Sequence, residues 1–296
     1  MDTELFFSQI ANGIANGVVY ASVALALVLI YRSTGLLNFA QGEMALFSTY
    51  VAWKFSTTDM PVVVAILLAM ALSFIAGAVI ERVLIRPVEQ ARSPLNVVIV
   101  TLGMFLALNA LAQLFFGTDP QQMTSAFPSG RVDLGVTEVG KDVIGLAVVL
   151  IIESLLIYLL LQRTKLGLML RAVASNSESA RLVGINSGLM LMFGWALAAA
   201  LGAAAGSFVA AQRTGFDASL MQQVLVFAFA AAALGGFDSP LGAIIAGLVV
   251  GIADALTIQY VDFLDGIEVA LPLVLILGVL LVRPTGLFGR RTVERV

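Results

Sequence analysis

The sequence predicts an all-α polytopic membrane protein, with eight or nine transmembrane helices, one or two of them broken, in a single transmembrane domain over residues 1–296. Composition is the first reason. Hydrophobic residues make up 60% of the chain and charged residues 12%, with a mean hydropathy of +1.00; soluble domains carry about 25% charged residues. The second reason is uninterrupted apolar length. Charge-free runs extend over Leu5–Tyr31, Ser93–Thr118 and Leu182–Gln212, each longer than the ~20 residues that cross hydrocarbon as a helix. Barrel strands would be about ten residues long and alternating, and these runs are neither.

Apolar segments fall at 10–31, 36–55, 61–80, 95–116, 143–161, 188–211, 219–236, 241–258 and 267–282. The first is closed by Arg32. The second opens on a polar cluster and ends at Lys54, whose stem suits snorkelling to the interface. The fifth holds Glu153 in its middle. The sixth contains the small-residue stretch Gly194–Gly206, suited to close helix approach in lipid. The last three are short or broken, which leaves the crossing number at eight or nine. Pro94, Pro240 and Pro272 start or kink helices.

Charge sorts the connections. Arg32, Arg82, Arg86, Arg92, Arg163, Lys165, Arg171, Arg181, Arg283, Arg290, Arg291 and Arg295 follow the first, third, fifth and last segments. Asp59, Asp119, Asp133, Glu138, Asp217, Asp262, Asp265 and Glu268 occupy the alternate connections. The positive-inside rule puts the Arg-rich connections in the cytoplasm, the N-terminus outside and the C-terminus inside. Nine crossings fit that arrangement. The acidic opening Met-Asp-Thr-Glu lacks the positive n-region of a cleavable signal. Residues 117–142 form the longest exterior loop and are net negative.

The most informative stretch runs from Ser33 to Tyr50. It places Asn38, Gln41, Gly42 and Glu43 between two apolar segments. Polar groups and loosened backbone at membrane depth are costly unless they line a cavity or are buried in protein. One reading is a solute path, with amides that both donate and accept. The other is a polar helix break whose groups satisfy one another. Both stand on the sequence. Glu43 alone makes a thin proton relay. Glu153 and Asp254 read as buried hydrogen-bonding groups before they read as functional sites.

Enzymatic chemistry finds no footing. The chain has no Cys and no His, which removes the usual nucleophile–base pairs and most zinc or haem sites. No G-x-x-x-x-G-K-[ST] phosphate loop occurs, and Gly140-Lys141-Asp142 lacks its spacing and hydroxyl. No metal, no cofactor and no nucleic-acid partner are expected in this chain. The lipid bilayer is its surroundings.

The Arg/Lys-rich connection 162–187 contains Ser175-x-x-Glu178, a capping-box pattern that predicts a helix start. Gly184 is placed to stop that helix at C′. The two-turn helix between them, including Ala180 and Arg181, suits docking on a soluble partner. An ordinary surface connector is the alternative.

Several segments together resemble one family, the LivH-type permease subunits of branched-chain amino acid ABC importers. They are Asn16-Gly-Val-Val-Tyr-Ala-Ser22, Gly35–Tyr50, Ile80-Glu-Arg-Val-Leu-Ile-Arg-Pro-Val88, Arg171–Asn186, Ala233-Leu-Gly-Gly-Phe-Asp-Ser-Pro-Leu-Gly242 and Leu281-Val-Arg-Pro-Thr-Gly-Leu-Phe-Gly289. They occur in the family's order across nearly the whole chain. The resemblance implies a multi-pass permease of the bacterial inner membrane. It implies a homologous second permease, two cytoplasmic ATPase subunits that carry the ATP and Mg, and an extracytoplasmic solute-binding protein. Leucine, isoleucine and valine are the implied solutes; related branches move amides or urea. The segment around Ala180 and Gly184 is similar to the family's ATPase-docking segment, with Ser175-Asn-Ser-Glu where many relatives are more acidic. A proton-driven secondary transporter using Glu43 or Glu153 is the principal rival.

Overall fold

The computed structural model describes residues 3–35, 37–89, 94–133, 135, 138–261, 267 and 269–289. Leu36, Arg92, Asp262, Asp265, Glu268, Arg290, Arg291 and Arg295, all used above in the motif or the charge sorting, lie outside the described residues.

The elements, in order, are α1 (Thr3–Thr34), α2 (Gln41–Ser56) and α3 (Val62–Ile80), followed by a π-helical turn (Glu81–Ile85), α4 (Arg86–Glu89) and α5 (Pro94–Phe116). Then come β1 (Arg131–Asp133), β2 (Glu138–Gly140), α6 (Lys141–Arg163), α7 (Lys165–Ser175), α8 (Ser177–Leu182), α9 (Ser187–Gln212), α10 (Leu220–Gly235), α11 (Pro240–Tyr260) and α12 (Ala270–Val282). The protein is an all-α polytopic membrane protein, and each of the nine apolar segments contains a helix. An addition to the all-α expectation is the antiparallel hairpin β1–β2, with Arg131 opposite Gly140 and Asp133 opposite Glu138.

Among the described residues six helices are long and apolar enough to cross a membrane: Glu4–Arg32, Val62–Val88, Leu95–Phe116, Lys141–Arg163, Ser187–Gln212 and Pro240–Tyr260. The helices α2, α10 and α12 have 16, 16 and 13 residues. At 1.5 Å per residue they reach about 24, 24 and 20 Å, short of the ~30 Å hydrocarbon core.

The chain divides into two compact units, each discontinuous in sequence. One comprises Met1–Val28, Phe127–Ile152 and Gln223–Val296; the other comprises Leu29–Ala126 and Glu153–Gln222. In the first, α1 and α11 cross with almost no side chain between them. A Cβ on Gly17 would lie 2.8 Å from the Leu248 Cα, and one on Gly251 would meet the Gly17 backbone. Beside this crossing the Tyr20 ring stacks on Phe227 at 4.7 Å, and its hydroxyl donates to Asp254 at 3.0 Å. The end of α10 is capped by the C-terminal arm. The Leu287 and Phe288 amides donate to the Leu234 and Gly235 carbonyls at 2.8 and 3.2 Å. Those carbonyls would otherwise end a helix unpaired.

The second unit is organised around α9, whose alanines and glycines admit α2 and α3 at backbone distance. Gly77 of α3 sits where a Cβ would be 2.7 Å from the Trp195 carbonyl oxygen, and a Cβ on Gly206 would strike the Thr49 hydroxyl. Without a hydrophobic drive between helices in lipid, such close packing is what holds them together. Outward faces of α3 and α5 carry exposed Leu67, Ile75, Leu106 and Leu114, as a lipid-facing surface requires.

Candidate functional site

The polar stretch lies in the second unit. The sequence suggests an apolar segment beginning at 36, but α2 starts only at Gln41 and residues 37–40 are non-helical. The reason is local. The Asn38 side-chain oxygen accepts from the Ala40 amide at 3.0 Å, forming a turn that competes with continued helix. The Gln41 amide donates to the Asn38 carbonyl at 3.3 Å. Across the bundle, Gln41 Nε2 donates to the Ala198 carbonyl of α9 at 3.0 Å.

Contact register fixes the depth of this break. Glu43 meets Asn109 and Tyr50 stacks on Phe116. The two pairs have the same sequence offset, so α2 and α5 run parallel. Gln41 therefore starts level with residue 107, about 20 Å along α5 from Pro94. The Gln41–Ala198 bond gives a similar depth on α9, about 17 Å beyond Ser187. The break is inside the helical layer rather than at its edge, where non-helical backbone needs protein or a cavity around it.

Satisfaction of the polar groups is uneven. Asn38 and Gln41 are buried and hydrogen-bonded. Glu43 is also fully buried. Its Oε2 accepts from Asn109 Nδ2 at 3.0 Å, and the Gln222 side chain lies against the same carboxylate, although Oε1 makes no well-formed hydrogen bond among the described residues. The Tyr50 hydroxyl and Trp195 Nε1 are likewise buried without partners there. Asn109 also donates to the Ala218 carbonyl at 2.8 Å and accepts from Gln113 at 2.6 Å. Sequence reasoning missed Asn109 and Gln113. Their signal is a polar pair at i, i+4 on an otherwise apolar span, which puts both on one helix face. Gly42 completes the first turn of α2 and is buried.

The Arg/Lys-rich connection is more structured than one short helix. The sequence reading left out α7. Thr164 caps it, with its hydroxyl accepting from the Gly167 amide at 3.0 Å. Because α7 continues through Ser175, that residue does not cap the next helix. The cap is Asn176, extended at φ −159° and ψ 103°, with its side-chain oxygen accepting from the Ser179 amide at 2.8 Å. Asn is as good a cap as Ser, and the extended conformation a cap needs is available only where α7 has ended.

The helix stop falls at Gly184 as the spacing predicts. Gly184 has φ +86°. Its amide donates to the Arg181 carbonyl and the Ile185 amide to the Ala180 carbonyl, both at 3.0 Å. That pair of bonds is the Schellman motif. Ala180 is buried, whereas Glu178 and Arg181 are exposed. Leu182 and Val183 are exposed at 89% and 76%, an apolar tip that sequence reasoning did not single out. An open cleft of about 470 Å³ lies beside it, lined by Arg86, Arg181 and residues 184–188. The structure thus keeps the 175–184 residues together and sets Asn38–Glu43 apart from them in sequence and setting. Glu153 is buried in α6, and Asp254 is held by Tyr20.

Comparison with known proteins adds identity at the level of family. A family model described as "Branched-chain amino acid transport system / permease component" matches residues 9–282. The chain is 32% identical over 315 residues to the high-affinity branched-chain amino acid transport system permease protein LivH of Salmonella typhimurium, covering 98% of each. It is 30% identical over 307 residues to the corresponding permease BraD of Pseudomonas aeruginosa, again covering 98% of each. A probable branched-chain amino acid transport permease of Methanocaldococcus jannaschii is 25% identical over 92% of this chain. Among solved structures, PsaBC from Streptococcus pneumoniae in complex with Fab aligns over 93% of this chain and 91% of that one, with a TM-score of 0.50 and 13% identity. This last likeness concerns the fold alone.

Proposed function

The chain belongs to the family of branched-chain amino acid transport system permease components, and from that membership we propose that it is the translocation subunit of an ATP-driven importer for leucine, isoleucine, valine or related small solutes. The observation that carries this reading is the end-to-end match, which covers 98% of both this chain and its LivH and BraD relatives. The subunit sits in the bacterial inner membrane with its N-terminus outside and its C-terminus in the cytoplasm. It pairs with a homologous second permease and two cytoplasmic ATPases, and receives solute from an extracytoplasmic binding protein. ATP and Mg are held by the ATPases.

Asn38, Gln41, Gly42 and Glu43 form part of the translocation path. Their burial at the depth of a helix break supports this. Selection by the binding protein leaves the permease to supply only a weak passage, which suits neutral amides better than a dense charged site. Ser175, Glu178, Ala180, Arg181 and Gly184 belong to the ATPase-docking segment. The rigidly capped α8, with its exposed apolar tip, supports that role. Rocking of α8 on ATP binding then switches the spans between outward-open and inward-open forms.

The experiment is uptake into proteoliposomes containing this chain, its partner permease and the ATPases, with loaded binding protein added. Leucine uptake that needs ATP and survives a protonophore is expected. Uptake that persists without ATP and collapses with the proton gradient would establish the secondary-transporter reading, with Glu43 or Glu153 as its carrier. A ligand screen of the binding protein separates branched-chain amino acids from amides and urea.

A further inference from the structure

We propose that Arg86 is a positioning residue that couples the docking segment to a membrane-spanning helix. The inference rests on the ATP-driven reading above and assigns the step between α8 and the spans.

The helix Val62–Val88 is α-helical until Ile80 and then passes through the π turn Glu81–Ile85. The Arg86 amide donates to the Glu81 carbonyl, an i+5 to i bond. In an α-helix, side chains five apart point about 140° away from each other. A π turn brings them to one side. Glu81 and Arg86 use that alignment: Nε lies 3.1 Å from Oε1 and Nη2 lies 2.7 Å from Oε2, a two-pronged pair. Glu81 is fully buried. A buried carboxylate is costly to leave unpaired, which fixes the guanidinium in place.

The same Nη2 has a second acceptor. It donates at 2.6 Å to the carbonyl of Gly188, in the first turn of α9. Glycine is fitted here, because a Cβ at 188 would come within 3.0 Å of the guanidinium carbon. The first turn of α9 is in turn tied to α8. Ser187 Oγ donates to the Ser177 carbonyl at 3.2 Å, and the Gly184 stop fixes the link between the two helices. A continuous chain of bonds therefore runs from α8, through Ser187 and Gly188, to Arg86, Glu81 and α3. The open cleft beside Arg86 and residues 184–188 leaves this junction room to shift. Packing at Gly77 holds the last turn of α3 against Trp195, more than two turns into α9. Arg86 is what joins α3 to the part of α9 that the docking segment pulls.

The test reads leucine moved per ATP hydrolysed, in proteoliposomes containing the complete transporter with loaded binding protein. For Arg86→Gln, ATPase co-purification and ATP hydrolysis are expected to stay within about twofold of the parent while the ratio falls about tenfold. Arg86→Lys, which keeps charge but only point contacts, is expected to fall between the two. Gly188→Ala retains both charges and presses its methyl on the guanidinium; a fall in the ratio of about threefold is expected. This variant decides the matter if Arg86→Gln does not insert. An unchanged ratio in both variants overturns the proposal. So does a loss of uptake and ATP hydrolysis in parallel with a lower unfolding midpoint, which is the mark of a purely structural clamp. A parent complex with no ATP-dependent uptake, or no ATPase in the co-purified material, instead defeats the ATP-driven reading on which the proposal stands.

Discussion

Leu182 offers the cleanest measure of the proposed docking surface. It closes α8 and is 89% exposed. Truncation to Ala removes three carbons, each worth about 0.8 kcal/mol when buried. Scaled by its exposure, full burial under an ATPase makes Leu182→Ala worth about 2 kcal/mol of association. At 1.4 kcal/mol per decade this is about thirty-fold in Kd. The free protein loses almost nothing, because the side chain contributes little burial of its own. The assay is titration of the detergent-solubilised permease pair with labelled ATPase, beside a thermal unfolding curve for each variant. Expected is an affinity about thirty-fold weaker with an unchanged unfolding midpoint. Val183→Ala serves as a second point on the same tip. Affinity within about threefold of the parent for both variants would refute the reasoning and leave α8 as a surface connector. So would weaker binding accompanied by a lower midpoint, since that locates the loss in the fold.

Glu43→Gln keeps an acceptor for Asn109 and replaces the unpartnered oxygen by a neutral amide group. Uptake should fall about three- to tenfold with an equal or higher unfolding midpoint, because a half-satisfied buried carboxylate is removed; complete loss of uptake in a folded protein would restore a charge-carrying role. Gly206→Ala forces a methyl against Thr49 and the Ala45 carbonyl. It should cost about 1–3 kcal/mol, read as a lower unfolding midpoint in detergent, and an unchanged midpoint would mean that α2 and α9 are not held this closely. The chain has no cysteine, so single cysteines report topology without background. Gln122→Cys should react with an impermeant maleimide in intact cells and Ser179→Cys only after permeabilisation; the reverse pattern would invert the orientation.

The sequence showed much of this architecture because the strongest signal in a membrane protein is also the simplest. Apolar length located a helix in each of the nine segments, with most ends within three residues; the starts of α1 and α2 were missed by seven and five. Where it erred, a local hydrogen bond outweighed composition. Asn38 folds back on Ala40 and delays α2 to Gln41, and Asn176 replaces Ser175 as a cap because α7 runs one residue further. The helix α7 itself was hidden by its charges, which read as connection. At the polar break, Glu43 stood out as the carboxylate near the start of an apolar segment. Asn109 and Gln113 did not, since Asn109 matters by reaching Glu43 across sixty-six residues of chain and Gln113 by holding Asn109, and no periodicity in one segment reveals a partner in another. The i+5 pairing of Glu81 and Arg86 was equally invisible, because helix spacing rules assume an α-helix.

Satisfied and unsatisfied polar groups divide the roles within the second unit. Asn38 and Gln41 bond to backbone and so define where α2 begins. They can be replaced only at the cost of that break, so their part in the proposed path is to shape it with neutral amides. Glu43 differs, because one carboxylate oxygen is fixed by Asn109 and the other makes no well-formed hydrogen bond, although the Gln222 side chain lies against the carboxylate. A buried acceptor left unmade costs about 1–3 kcal/mol. In the proposed transport cycle, a donor that aligns better with that oxygen recovers part of that energy, whether it belongs to Gln222, to the solute or to a helix that has moved. A site of this kind binds weakly and releases readily. That behaviour suits the proposed passage, in which a separate binding protein selects the solute, and it makes Glu43 the residue of the polar stretch to test first.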